Sequence, residues 1–378
     1  MAGTSLDGVD AALVQITGTL ERPGVKLLNF TTIAYPRDLR AALLHIAGGG
    51  ATNAAAISDV NFRVGEAFAR AALLVCRGAR LDPGHLAVIG SHGQTIFHRG
   101  AAAGKARAST LQIGEPSLIA RLAGAPVVAD FRTADLAAGG EGAPLVPLVD
   151  YLLLGDRRLG TVALNIGGIA NVTVIPARAR PADVFGFDTG PGNMVMDALV
   201  RHFTDGREEY DSGGRMAARG KVIEPILRQA LRYPFLRRRP PKSAGREQFG
   251  REFVIRYFLS EPDGHYQDLL RTAAELTACS VADALSRFVF PRLKPGRNLH
   301  RLVVSGGGAH NRVVIGRLQE LLPALRLQLS DDCGLPVDAK EAIAFAILAE
   351  RTLHGLPGNL PSVTGARRSV LLGKVVRP

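Results

Sequence analysis

The sequence predicts an α/β protein made of two related domains, and three observations carry that prediction. At 378 residues the chain is longer than a single hydrophobic core usually grows. Short apolar runs that end in glycine-rich turns alternate with longer amphipathic runs of helical period. A glycine-bearing bend leading into a strand-like run occurs at residues 3–8 and again at 166–171, as a duplicated unit would give. The expected division is 1–131 and 132–378, with an insertion near 204–250 in the second part and a C-terminal segment that can pack back on the first.

Composition narrows the function. Hydrophobic residues at 47% against charged residues at 21% describe an ordinary globular protein. The 46 basic residues against 34 acidic ones leave +12, which favours anionic ligands. Nucleic acid is not the expected partner, because aromatic residues are only 6%, tryptophan is absent, the arginines are scattered and no nucleic-acid motif occurs. A nucleotide or sugar phosphate accounts for the charge as well. Cys76, Cys279 and Cys333 form neither a metal-binding nor a disulfide pattern, as in a reducing cytoplasm. No apolar run approaches the roughly 18 residues of a membrane span and no basic-then-apolar leader opens the chain, so no membrane association is expected.

The chain opens on Gly3-Thr4-Ser5-Leu6-Asp7-Gly8-Val9-Asp10, followed by a strand at 11–16. The amides of this turn and the hydroxyls of Thr4 and Ser5 can cradle phosphate, and Asp7 can hold Mg²⁺ through water. An ordinary hairpin turn is the alternative. A second strand spans 25–35 and stops at Pro36, and helices follow at 37–47 and 54–77, separated by Gly48-Gly49-Gly50. A buried strand at 86–89 delivers Gly90-Ser91-His92-Gly93-Gln94-Thr95 at its C-terminal end, where ligands collect in open α/β sheets. His92 and Gln94 there suit a polar substrate, while a loop histidine bonded to nearby carbonyls is the alternative. Residues 99–109 read as a solvated loop, 117–122 as a short helix, and 126–129 as a strand emptying into Asp130-Phe131-Arg132. A guanidinium at that point can orient a carboxylate or phosphate, and a structural Asp130–Arg132 pair explains it equally.

Residues 139–144 have the composition of a hinge or an active-site loop. An apolar run at 145–154 and strands at 161–165 and 172–175 follow, with Gly167 and Gly168 in the turn between the strands. Gly186-Phe187-Asp188-Thr189-Gly190-Pro191-Gly192-Asn193 then places Asp188 at an expected strand-to-helix turn, where glycines permit close backbone approach and helix amides can meet an anion. A carboxylate beside an anion suits a general base in phosphoryl transfer, and a helix-capping Asp is the alternative. The basic stretch 204–250 reads as a solvated insertion, and 268–288 as a long helix. A strand at 301–304 ends in Ser305-Gly306-Gly307-Gly308-Ala309-His310-Asn311, whose glycines let a flat ring lie on bare backbone. A helix at 313–322, a strand at 325–329 and a helix from about 337 to 353 complete the chain, with Asp338 and Glu341 spaced as a capping box.

No P-loop, no dinucleotide G-x-G-x-x-G, no H-E-x-x-H and no G-x-S-x-G occurs. Two hairpin phosphate turns, a glycine-rich loop near the C-terminus and one Asp in a Gly-Pro-Gly segment suit the actin, Hsp70 and sugar-kinase superfamily instead. Within it, residues 3–10, His92 with Gly93-Gln94-Thr95, Leu111-Gln112-Ile113-Gly114 and Gly139 to Pro147 resemble the anhydro-N-acetylmuramic acid kinase family. So do Leu164 to Asn171, Gly186 to Asn193, Pro241 to Glu247, Ser305 to Gly308 with Asn311, and Leu360 to Gly365. The matches run in order from end to end.

The resemblance implies two RNase H-like (actin-like ATPase) domains around a nucleotide cleft, closing on ligand, in a cytoplasmic homodimer. It implies an enzyme of cell-wall recycling that converts 1,6-anhydro-N-acetylmuramic acid, ATP and water to N-acetylmuramic acid 6-phosphate and ADP. At matched positions Asp188 is the catalytic base. Gly3, Thr4, Ser5, Leu6, Asp7, Gly8, Val9 and Asp10 line the triphosphate, with Asp7 at Mg²⁺. Gly167 and Gly168 face the phosphates from the second domain, and Gly306, Gly307 and Gly308 the adenosine. His92, Arg132 and Glu341 are the implied substrate contacts. Relatives carry a further strand before the first phosphate turn whereas this chain starts at the turn, so the expectation is a first domain without its first strand and a longer natural protein, with an impaired version of the enzyme as the alternative. A related sugar or acyl kinase, and a nucleotide-gated binding protein without turnover, are the competing readings.

Overall fold

The computed structural model describes residues 1–3, 6–100, 107–260 and 265–378. Thr4 and Ser5, and most of the expected loop at 99–109, lie outside the described residues. Two compact units emerge, Met1–Leu153 with Ala339–Pro378, and Leu154–Asp338. The division thus falls beyond the expected residue 131, and the C-terminal segment belongs to the first unit. Buried charge explains why. Asp135, fully buried, accepts from Gly142 N at 2.8 Å, Asn359 Nδ2 at 2.6 Å and Thr364 Oγ1 at 2.7 Å. Lys340 Nζ lies 2.7 Å from the buried Asp150. Separating these partners would leave charges uncompensated in the interior, so 133–153 travels with 340–364.

The first unit begins with a long hairpin, β1 (Gly8–Thr19) and β2 (Arg22–Ala34), paired from Gly8↔Ala34 to Thr19↔Arg22. Met1 and Asp10 exchange backbone hydrogen bonds of 2.7 and 2.8 Å, which closes the turn at its base. Helices α1 (Arg37–Ala47) and α2 (Ala54–Gly78) follow. Leu39, Leu43, Val60, Val64 and Phe68 on their inner faces bury into the core of this unit. The expected strand at 86–89 is only β3 (Ile89–Gly90), and a second hairpin, β4 (Gln94–Arg99) with β5 (Ser109–Ile113), leads to α3 (Pro116–Ala123), β6 (Val127–Ala129), α4 (Thr133–Ala137) and α5 (Val146–Leu154). Between β1 and residues 86–91 lies a cavity of about 220 Å³, lined in part by Val9, Leu13, Phe68, Val88 and Ser91.

The second unit carries one five-stranded sheet. Its strands are β7 (Thr161–Ile166), β8 (Ile169–Ile175), β9 (Phe185–Pro191), β10 (Arg301–Ser305) and β11 (Arg326–Leu329), in the order β11-β10-β7-β8-β9. β7, β10 and β11 are parallel, while β8 is antiparallel to both β7 and β9. Counted within the unit this is order 3-2-1-4-5, that of an RNase H-like domain. Helices α6 (Met194–Phe203), α7 (Glu224–Ala230), α8 (Pro234–Arg237), α9 (Arg246–Phe249), α10 (Arg251–Phe258), α11 (Tyr266–Ala284) and α12 (Arg312–Leu321) complete it. The stretch 204–250 is not merely a solvated insertion. Ile226, Leu227, Phe235, Leu236 and Phe249 are buried in the same core as Leu164, Leu199 and Leu270.

The chain then returns to the first unit as α13 (Lys340–Leu353), α14 (Pro361–Thr364) and β12 (Lys374–Val376). β6 is the centre of a three-stranded sheet, parallel to β3 and antiparallel to β12. The expected capping box is not formed. The residue capping α13 is Ala339, which offers no side-chain cap, and Asp338 instead faces His310 Nε2 at 3.0 Å. No helix among the described residues is long and apolar enough to cross a membrane.

Candidate active site

In the second unit Asp188 is not at a strand-to-helix turn. It lies within β9, opposite Asn171 of β8, and the ladder runs on through Gly190↔Ala170 and Pro191↔Ile169. Backbone pairing extends the strand because the glycines let neighbouring chain come close. A Cβ on Gly186 would sit 2.7 Å from Val172 O, and one on Gly192 2.2 Å from Gly167 O. Asp188 does not cap α6 either, since the capping position is Asn193. Nor are the amides entering α6 offered to an anion. Gly192, Asn193 and Met194 N–H donate to the carbonyls of Gly168, Gly167 and Gly168 at 2.9, 2.8 and 3.1 Å. The Gly167–Gly168 turn is thereby fastened to the start of α6.

The half-buried Asp188 carboxylate accepts from Ala244 N at 2.7 Å, and its own N–H donates to Lys242 O at 3.1 Å. Burial pushes its pKa up to about 7, opposed by the Ala244 hydrogen bond and by Lys242, and helped by Glu247. The segment 242–244 therefore grips Asp188 by backbone and side chain. Lys242 was missed from sequence because it stands in a basic run, where charge normally signals a solvated surface. The available signal was the segment Pro241 to Glu247, one of the stretches that carry the family resemblance, to which no role had been attached.

The glycine loop after β10 is explained in part by packing. Gly306 has φ +80°, and a Cβ there would sit 2.5 Å from Asn165 Oδ1; one on Gly308 would sit 2.2 Å from Ile166 Cγ2. Close approach to β7 demands both glycines, whereas a Cβ on Gly307 meets nothing nearer than Asn193 Nδ2 at 3.5 Å. Asn311 caps α12 by accepting from Val313 N and Val314 N.

In the first unit, Leu6 and Val9 are each 2% exposed and belong to the core, so only their backbone can face a ligand. Gly8 must be glycine because a Cβ would lie 2.3 Å from Ile33 O. Asp7 is exposed, its carbonyl accepting from Tyr35 N at 2.9 Å, and Asp10 accepts from Thr32 Oγ1 at 2.7 Å. Behind burial, the charges of Asp7 and Asp10 also push the Tyr35 hydroxyl up. Among the described residues no three acidic, His or Cys side chains gather for a metal. A Mg²⁺ held mainly by phosphate and water, with one carboxylate, fits Asp7. Gln94 is fully buried and donates to Gly3 O at 3.0 Å while accepting from Tyr35 Oη at 3.3 Å, so it supports the turn.

His92 and Arg132 meet. The imidazole Nδ1–H donates to Gly93 O at 2.9 Å and Nε2 accepts from Arg132 Nε at 3.1 Å, with Phe345 packed on the ring at 4.6 Å between centroids. With both nitrogens engaged and 2% exposure, His92 is placed to aim Arg132. Burial, then the Arg132 charge, holds its pKa well below the usual imidazole range, so it stays a neutral acceptor. Arg132 also donates to Gly142 O at 2.9 Å, and burial lowers it to about 10. Glu341, at the start of α13, is raised by burial and held back by Lys340 and Arg132. The Asp130–Arg132 pair is not present; Asp130 pairs with Lys374.

Comparison with known proteins adds a lineage. The family model described as anhydro-N-acetylmuramic acid kinase matches residues 1–378. A protein of that name from Bacillus cereus (strain Q1) is 41% identical over 380 residues, covering 100% of this chain and 98% of its own length. One from Caldanaerobacter subterraneus subsp. tengcongensis is 41% identical, covering 99% of this chain and 95% of its own. Among solved structures, the activator of 2-hydroxyisocaproyl-CoA dehydratase from Clostridium difficile with bound ADPNP aligns over 90% of this chain and 94% of its own, at TM-score 0.42 and 11% identity.

Proposed function

The chain belongs to the anhydro-N-acetylmuramic acid kinase family, and on that premise we propose that it opens 1,6-anhydro-N-acetylmuramic acid with water and phosphorylates it from ATP, with Asp188 as the base. The observation that carries the reading is the half-buried Asp188 carboxyl, set between glycines in β9 and held by the Ala244 N–H at 2.7 Å, where burial pushes its pKa up to about 7, the range in which a general base works best. The anhydro sugar has no free 6-hydroxyl. Asp188 takes a proton from water as the water oxygen bonds to the anomeric carbon; the bond from that carbon to the bridging oxygen breaks, and the released 6-oxygen takes the γ-phosphoryl group as ADP leaves. The product is N-acetylmuramic acid 6-phosphate.

In this reading the backbone of residues 3–10, with Thr4 and Ser5, and the Gly167–Gly168 turn bind the phosphates. Gly307 leaves room beside the adenosine. Arg132, aimed by His92, and Glu341 orient the sugar. Asp7 would hold Mg²⁺, whose charge would offset that of the phosphates. The same reading makes the protein a cytoplasmic homodimer whose domains close on ligand.

Turnover in ¹⁸O-water tests the chemistry. Mass spectrometry should find the heavy oxygen at the anomeric position of the product. Label on the phosphate would overturn the mechanism, and turnover retained by Asp188→Asn would overturn the base.

A further inference from the structure

The geometry around Lys242 carries a step beyond that reading, although it rests on Asp188 being the base. Lys242 is 5% exposed. Its ammonium donates to Phe235 O and Leu236 O, each at 3.2 Å, and lies 4.7, 5.2 and 5.9 Å from the ring centres of Phe235, Phe288 and Phe187. Two carbonyls and three aromatic faces form a cage that holds a cation inside the second unit. The same residue's carbonyl accepts from Asp188 N, and two residues on Ala244 N donates to the Asp188 carboxylate. Phe187 is the immediate neighbour of Asp188 in β9. A purely structural anchor could have been apolar, because the cage is largely ring surface. A charge here has a reason if it is sensed by Asp188.

We infer that Lys242 is a positioning residue that docks the 242–244 segment onto Asp188 and, through its charge, favours the ionised form of the base. The charged groups around the pair are few. Asp188 faces Lys242 and Glu247, and Lys242 faces Asp188, Asp283 and Arg238. Asp283 is itself paired with Arg287 at 2.6 Å. Lys242 lowers the pKa of Asp188 and Glu247 raises it, while burial brings Lys242 down to about 8, so the ammonium remains charged at neutral pH.

The test is the acid limb of kcat/KM for the anhydro sugar, which reports the base in the free enzyme. Lys242→Met and Lys242→Gln should move that limb up by about one pH unit, with an activity loss of about tenfold below the limb and much less above it. Lys242→Gln keeps a donor for the carbonyls, and Lys242→Arg, which keeps the charge, should leave the limb in place. Glu247→Gln, at an exposed position, should move it down. A uniform loss with an unmoved limb in the neutral variants would overturn the inference, as would a limb indifferent to Glu247→Gln even if the Lys242 variants fail to fold. Either result is distinct from failure of the base assignment, which shows only as residual turnover in Asp188→Asn.

Discussion

The two units treat their central charged groups in opposite ways. Arg132 in the first unit is fastened on two sides, by His92 Nε2 and Gly142 O, with Glu341 as an electrostatic neighbour. Asp188 in the second is half-buried, and among the described residues its carboxylate accepts one hydrogen bond, from Ala244. A well-satisfied group keeps its charge and direction, which suits binding. An under-satisfied one sits near the midpoint between its two protonation states, which suits proton transfer. The contrast also appears in where support comes from. Arg132 draws on α13 and its Phe345, some 200 residues away in sequence, while Asp188 draws on a segment about 55 residues downstream in the same unit.

If the contrast is real, the two groups should fail differently. The largest effect is expected at Asp188. Asp188→Asn should lower kcat by about 10³-fold, while calorimetry with a non-hydrolysable ATP analogue finds nucleotide affinity unchanged. A change confined to KM would erase the distinction. Arg132→Ala comes next. Losing a charged hydrogen-bond donor toward the sugar should raise KM by about thirtyfold, roughly 2 kcal/mol, with kcat much less affected.

His92 sharpens the comparison within the first unit. His92→Leu strands a buried Arg132 N–H and should cost about 1–3 kcal/mol of stability in urea unfolding, with a matching rise in KM. His92→Gln retains an acceptor and should recover part of both. Equal effects from the two variants would show that ring packing on Phe345 matters more than the acceptor.

The smallest effect runs against intuition. Burial raises the folded-state pKa of Asp188 to about 7 from 3.8, so between those values the folded chain binds a proton that the unfolded chain releases. Stability contributed by this group is therefore lost as pH rises through about 7. Asp188→Asn removes the cost of an ionised buried carboxylate, and its thermal midpoint should exceed that of the unaltered protein by a few degrees above pH 7. Below pH 4 the two should converge. A variant less stable at pH 8 would mean that the carboxylate is better satisfied than its surroundings indicate.

Much of this was readable in advance. The two-domain α/β class, helix α1 at its observed limits and the sheet strands of the second unit follow from periodicity, turn residues and the family's motifs. Those are local properties, or marks of descent written residue by residue. The misplacements have one cause. Asp188 looked like a turn residue because Gly-Pro-Gly normally ends a strand, but pairing with β8 carries the strand past it. The Leu6 and Val9 side chains, in a turn read for its backbone, go to the core, and Lys242, in a run read as surface, is buried.

What the amino-acid order determined alone was the inventory: a carboxylate flanked by glycines, a guanidinium after a strand, two glycine bends in repeated settings. The tertiary structure decided which of these groups would be satisfied and which left wanting. The protonation of Asp188, the neutral tautomer of His92 and the caged ammonium of Lys242 depend on distant chain arriving within hydrogen-bonding distance and displacing water. No stretch of sequence carries the solvent exposure of its own side chains.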